Sequence, residues 1–165
     1  MEKEYVWYAC YGSNLCRSKF IERYINACTD RTPPKEDRPY IIRHQMYFAG
    51  RSGRWNGGVA FVSTKADEQA QTLGRVYRIT MEQLDEVREK EGPSSHWYGN
   101  KLYLGMLEGL PVYTLTRDPQ YDGHETRVPS PEYQEVILRG LKEIYPQVDG
   151  KAYLRKTIEY TQSIM

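Results

Sequence analysis

The order in which apolar patterns occur constrains this chain most. Strand-like runs gather between residues 4 and 116, and two helix-like repeats follow them. Strands that cluster, instead of alternating with helices, point to an α+β fold. Residues 4–11 form a β-rich apolar run that stops at three turn formers, Gly12-Ser13-Asn14. Leu15, Phe20, Ile21, Tyr24 and Ile25 recur near helical spacing, which predicts a helix over 15–26. Residues 29–39 are rich in Pro and charge and read as a loop. Further strands are expected over 40–49, 59–64 and 73–79, with a Gly-rich turn over 51–58. Thr80-Met81-Glu82-Gln83 is a capping box opening a short helix with Met81, Leu84 and Val87 inward. Gly92-Pro93 ends it. Strands over 101–107 and 110–116 flank a hairpin turn at Glu108-Gly109. Ser130-Pro131 starts a helix carrying Tyr133, Val136, Ile137, Leu141 and Ile144, and a last helix begins near Asp149. The expected architecture is one domain over 1–165: a mixed or antiparallel sheet, curled into a small β-barrel, with flanking helices.

Composition narrows the function classes. The 23 basic and 22 acidic residues leave a net charge of +1, and Lys and Arg are scattered singly. That gives no footprint for nucleic acid or an anionic membrane. No run approaches the roughly 20 apolar residues of a membrane helix. Met1-Glu2-Lys3-Glu4 lacks the basic-then-apolar order of a secretion signal, so a cytoplasmic location is expected. Cys10, Cys16 and Cys28 fit neither a disulfide framework nor a zinc pattern. Neither Cys10 nor Cys16, with His44, His96 or His124, falls in a local signature of a Cys–His nucleophile. The chain has 15 Tyr against 3 Phe. Buried Tyr hydroxyls want partners, so this bias suggests a polar, hydrogen-bonding pocket.

Two segments can carry chemistry. At the strand–Gly12-Ser13-Asn14–helix junction, backbone N–H groups and the positive helix end converge, which suits a carboxylate or a developing oxyanion. Glu91 falls at the C-terminal end of the capped helix, where partial negative charge disfavours an ionised carboxylate. Its pKa should rise, and a Glu so poised can take and return a proton near neutrality.

In chain order, these residues resemble the gamma-glutamylcyclotransferases. Cys10-Tyr11-Gly12-Ser13-Asn14-Leu15 is similar to the family's Y-G-S-N-M loop, with Leu15 in place of Met. Trp55-Asn56-Gly57-Gly58-Val59-Ala60 resembles its Gly-rich entry to a strand, and residues 73–79 its W-G-V-V-W/Y strand. Residues 84–92 resemble L-x-x-L-D-x-x-E-G, which places the family's acid/base on Glu91 and keeps Tyr98 at the family spacing. Residues 111–115 resemble the strand that contributes a pocket Tyr, here Tyr113, and Ser130-Pro131-Glu132-Tyr133 the P-S-P-x-Y segment. Val87 and Arg88 depart from the pattern, and an Arg88 aimed at Glu91 would lower its pKa.

The resemblance implies an intramolecular cyclisation of a γ-glutamyl amide to 5-oxoproline, with an amine or amino acid released and no metal or cofactor needed. Glu91 would be the acid/base, and Tyr11, Gly12, Ser13, Asn14, Tyr98, Tyr113 and Tyr133 would bind substrate. Residues 94–97 and 117–126 would bound the leaving group. The expected partner is a small γ-glutamyl molecule, with neither nucleic acid nor membrane, and a homodimer is compatible with the family. Two other readings use the same fold: a biosynthetic enzyme acting on γ-glutamyl amines, and a non-catalytic small-molecule binding module.

Overall fold

In the computed structural model, which describes residues 3–165, the apolar run near the N-terminus becomes the centre of the main sheet. Strand β1 (Tyr5–Cys10) is buried from Val6 onward, consistent with a run that has no polar alternation. The other strands are β2 (Asp37–Ile42), β3 (His44–Ser52), β4 (Gly57–Ala66), β5 (Thr72–Thr80), β6 (Asn100–Leu107) and β7 (Leu110–Thr116). Five of them form one mixed sheet in the order β2-β5-β1-β7-β6. Within it, β1 pairs antiparallel with β5 and parallel with β7.

Strands β3 and β4 form a separate two-stranded sheet. The α+β class and the mixed sheet match the sequence reading, but the barrel does not. No backbone ladder links β3–β4 to the five-stranded sheet, among the described residues. The hairpin is tied to that sheet by side chains instead: Thr116 Oγ1 accepts from Val62 N at 3.2 Å and donates to Val62 O at 2.7 Å.

The expected strand over 40–49 is in fact two strands in different sheets. Arg43 forms a bend between them and donates to Ala70 O at 3.0 Å. The expected helix over 15–26 is three short pieces: a 3-10 turn at Ser13–Leu15, α1 (Arg17–Arg23) and a second 3-10 turn at Ile25–Ala27. The N-terminal part of the expected loop 29–39 stands, while its end is recruited into β2.

The capping box forms as read. In α2 (Met81–Glu91), Gln83 N donates to Thr80 Oγ1 and Thr80 N donates to Gln83 Oε1, each at 3.0 Å. Gln83 does more, because its amide also donates to the carbonyls of Asp30 and Thr32 and ties down the loop before β2. Leu84 and Val87 are fully buried, each contributing about 1.5–3 kcal/mol by leaving water. Gly92 closes the helix at φ 111°, which favours a residue without a Cβ. Glu91 is therefore the last residue of α2, held at a defined point over the end of β1.

Helices α3 (Pro131–Ile144) and α4 (Gly150–Ser163) follow, capped by Ser130 and Asp149 as expected. Tyr133, Val136, Ile137 and Leu141 of α3 face inward. Thr161 of α4 accepts from Phe48 N at 3.0 Å, so α4 covers β3. No helix among the described residues is long and apolar enough to cross a membrane.

Candidate active site

Where β1 and β7 end side by side, the chain leaves a cavity of about 290 Å³. That is at the small end of the range for small-molecule sites. The loop after β1, the end of α2, the β3–β4 turn, residues 97–98 and Tyr133 of α3 all contribute to its wall.

The loop is clamped from behind by β5. Tyr77 Oη donates to Asn14 O at 2.8 Å, and Arg75 Nη1 donates to Leu15 O at 2.7 Å. Held this way, Gly12, Ser13 and Asn14 line the cavity. The N–H groups of Gly12 and Asn14 have no acceptor among the described residues. Gly12 is needed for packing as well: a Cβ there would lie 2.8 Å from Tyr133 Oη.

Glu91 lies across the cavity from the loop and is bound to it, with Asn14 Nδ2 donating to Glu91 Oε1 at 2.9 Å. Glu91 is half-buried and lines the cavity. Burial raises its pKa from 4.5 to about 7, against the opposing pull of hydrogen bonds from Tyr24 and Asn14 and the charges of Arg54 and Arg23. Arg88, the residue that threatened this poise, points elsewhere: its Nη1 donates to Gly99 O at 2.8 Å.

Five of the 15 tyrosines build part of this wall. Tyr8, Tyr11, Tyr24, Tyr98 and Tyr133 all line the cavity. Tyr98 Oη donates to Ala60 O at 2.7 Å, and Tyr133 Oη accepts from Ala60 N at 3.0 Å, so two hydroxyls serve one residue of β4. Tyr11 Oη donates to Leu115 O at 2.6 Å. Burial, reinforced by the negative charge of Glu91, pushes the pKa values of Tyr8, Tyr24 and Tyr133 up. They stay protonated and available as donors at neutral pH.

Of the sequence-read site residues, Glu91, Tyr11, Gly12, Ser13, Asn14, Tyr98 and Tyr133 converge on one cavity. Tyr113 does not. It packs edge-on against Tyr103 of β6 at 5.8 Å, with Lys101 Nζ 5.4 Å from its ring. Leu115 takes the cavity position two residues later on the same strand, about 6.6 Å further along. Of the segments expected to bound the leaving group, only Trp97 reaches the cavity. The β3–β4 turn, Arg51 to Trp55, lines it instead. The sequence reading missed that turn, together with Tyr8, Tyr24 and Lys90. Tyr8 looks like one more apolar strand residue, and Tyr24 like one more residue of an amphipathic helix.

The cysteines and histidines do not assemble a nucleophile. Cys10 lines the cavity, but burial pushes its thiol pKa up and it donates to Arg75 O. His44, His96 and His124 are not lining residues. No group of three or more His, Cys, Asp or Glu among the described residues is placed to hold a metal ion.

Gamma-glutamylcyclotransferase of Mus musculus is 27% identical over 143 residues, covering 86% of this chain and 73% of that protein. A solved structure of a gamma-glutamyl cyclotransferase superposes with a TM-score of 0.66 at 22% identity, over 92% of this chain and 87% of the other. In sequence and fold the chain is gamma-glutamylcyclotransferase-like. No protein-family model matches it. The chain is also 27% identical, over 202 residues and 93% of its length, to Histone deacetylase 5 of Arabidopsis thaliana. It spans 31% of that protein's length.

Proposed function

We propose that the protein is a gamma-glutamylcyclotransferase, converting a γ-glutamyl amide to 5-oxoproline and a free amine. The observation that carries this reading is Glu91: a carboxyl with a pKa near 7, bonded to Asn14 of the loop and facing a cavity large enough for a γ-glutamyl group.

The substrate supplies its own nucleophile. Its α-amine nitrogen bonds to the γ-carbonyl carbon, and the amide C–N bond breaks. The α-ammonium gives up two protons in becoming the lactam N–H, and the amide nitrogen gains two in leaving as an ammonium. Glu91 takes protons from the first nitrogen and returns them to the second. Its pKa of about 7 suits both directions. The remaining requirement is conformational, because the glutamyl chain must fold back on itself. Holding that conformer removes most of the entropy cost of attack. The free N–H groups of Gly12 and Asn14 suit the α-carboxylate or the developing oxyanion, and tyrosines wall the same cavity.

The test is 5-oxoproline release from γ-glutamyl dipeptides, glutathione and γ-glutamyl alkylamines, with the Glu91→Gln protein alongside. Release by the wild type and not by the variant is expected. Full turnover by the variant would remove Glu91 from the mechanism.

A further inference from the structure

The mouth of the cavity carries a charge imbalance that cyclisation does not require. Arg51 and Arg54 on the β3–β4 turn, and Lys90 near the end of α2, line it, and Glu91 is the one acidic lining residue. Arg23 joins them from α1. Its guanidinium lies 4.7 Å from the Trp55 ring centroid, and Trp55 packs on Tyr133 at 5.1 Å. The charges of Arg54 and Arg23 both reach Glu91. This patch sits in a chain whose 23 basic and 22 acidic residues nearly balance. Unpaired cations are common on this chain, although Arg38, Arg75, Arg78 and Lys101 lie against acids, and what sets those of the mouth apart is that they gather around one cavity. Among the described residues, none of Arg23, Arg51, Arg54 and Lys90 has an acidic partner.

If the γ-glutamyl half lies against the loop and Glu91, its amide bond to the departing amine points toward the mouth. The cations there face the leaving half. The three that line it, Arg51, Arg54 and Lys90, exceed what one carboxylate neutralises, and arginine forks match carboxylates two bonds at a time. Trp55 and Trp97 wall the same region. We infer that the mouth is a subsite for a leaving amine bearing two carboxylates, so that the protein selects γ-glutamyl conjugates of acidic amino acids over those of neutral amino acids or plain amines. This rests on the cyclotransferase reading and deepens it.

The experiment compares γ-glutamyl-glutamate with its neutral isostere γ-glutamyl-glutamine. Turnover of both is measured with the wild type and the R51Q/R54Q double variant, at low and high salt. Calorimetric titration of both compounds into the Glu91→Gln protein reads binding apart from chemistry. A preference of about tenfold in kcat/KM for γ-glutamyl-glutamate is expected, carried in KM. It should shrink in about 0.5 M salt and fall toward unity in the double variant. Equal kcat/KM for the two compounds, or a preference that survives the double substitution, overturns the subsite. If neither compound is cyclised, the titration decides. Tighter binding of γ-glutamyl-glutamate upholds the subsite while the cyclotransferase reading falls, and equal or absent binding overturns both.

Discussion

Asn14 and Glu91 meet across 2.9 Å although 77 positions separate them in the chain. The same Asn14 nitrogen donates to Tyr8 Oη at 3.0 Å, and Tyr77 holds the Asn14 carbonyl. The loop after β1 and the end of α2 are thereby locked into one unit. A carboxyl bound in this way has its orientation set by the sheet instead of by its own helix terminus. The Asn14 bond also favours the ionised form, opposing burial.

The pH dependence of turnover follows from that balance. A general base must be deprotonated, so kcat/KM should rise with pH along an acid limb centred on the Glu91 pKa of about 7. Arg54 and Asn14 both pull that pKa down. Arg54→Gln and Asn14→Ala should therefore each move the limb to higher pH. Arg88→Gln should leave it in place, since Arg88 is engaged with Gly99. A kcat/KM profile across the neutral range for each variant checks the two shifts and the one unchanged limb. A downward shift for Arg54→Gln would contradict the assignment of the limb to Glu91.

Replacing Glu91 by Gln should separate activity from stability. Loss of the proton carrier should cut 5-oxoproline formation by about 10²–10⁴-fold. Stability should move the other way. The folded pKa, about 7, lies above the ordinary value of 4.5, so the native state binds the proton more tightly than the unfolded chain. Glu91 therefore costs nothing below pH 4.5, an increasing amount between 4.5 and 7, and its full penalty above. The variant lacks that penalty. It should match the wild type in acid and exceed it by on the order of 2 kcal/mol above pH 8, allowing for the opening to the cavity. Urea unfolding at the two pH values would reveal the difference. Equal stability at both would mean that Glu91 is not buried as described.

The elements that could be read from sequence are those whose cause is local. Thr80 and Gln83 specify their cap within one turn, and Glu108-Gly109 adopts positive φ at both positions between its strands. Ser130 and Asp149 likewise mark their helix starts. The site was legible where it lies next to such signals, at Gly12-Ser13-Asn14 and at Glu91 before Gly92. What was missed depends on distant partners. Nothing near residue 43 announces that β2 and β3 join different sheets, because the choice depends on β5 and β4 as partners. Tyr113 and Leu115 share one face of β7, and the cavity lies at the end of that strand, so Leu115 reaches it while Tyr113, two residues earlier, packs on Tyr103 of β6. Tyr24 reads as helix core because its role depends on a carboxyl at Glu91, brought in by a separate helix.

The capping box gives a stability prediction that leaves the chemistry aside. Thr80→Ala removes the acceptor for Gln83 N and should cost about 1 kcal/mol, a fall in Tm of about 2–4 °C. Gln83→Ala should cost more. It strips the partner from Thr80 N and leaves the carbonyls of Asp30 and Thr32 without their amide donor. Thermal melts of the two variants give the order, and a larger loss for Thr80→Ala would contradict it.

Gly12 and Tyr133 supply the sharpest test of the loop geometry. A methyl at residue 12 would stand 2.8 Å from Tyr133 Oη and 3.3 Å from Ala60 Cβ. The tyrosine cannot simply swing away, because its hydroxyl accepts from Ala60 N and its ring packs against Phe48 and Trp55. Gly12→Ala should therefore cost about 1–3 kcal/mol of stability and lower kcat/KM by pushing the loop out of register with Glu91. Tyr133→Phe alone should also destabilise, since it leaves Ala60 N unpaired in the interior. Together the two changes should cost less than the sum of their separate effects, because removing the hydroxyl removes the atom that the new methyl strikes. A double-mutant cycle in stability, with kcat/KM measured in parallel, gives the coupling. Strict additivity would mean that the loop and Tyr133 are not in the contact described, and the geometric basis for holding a folded-back γ-glutamyl chain between them would go with it.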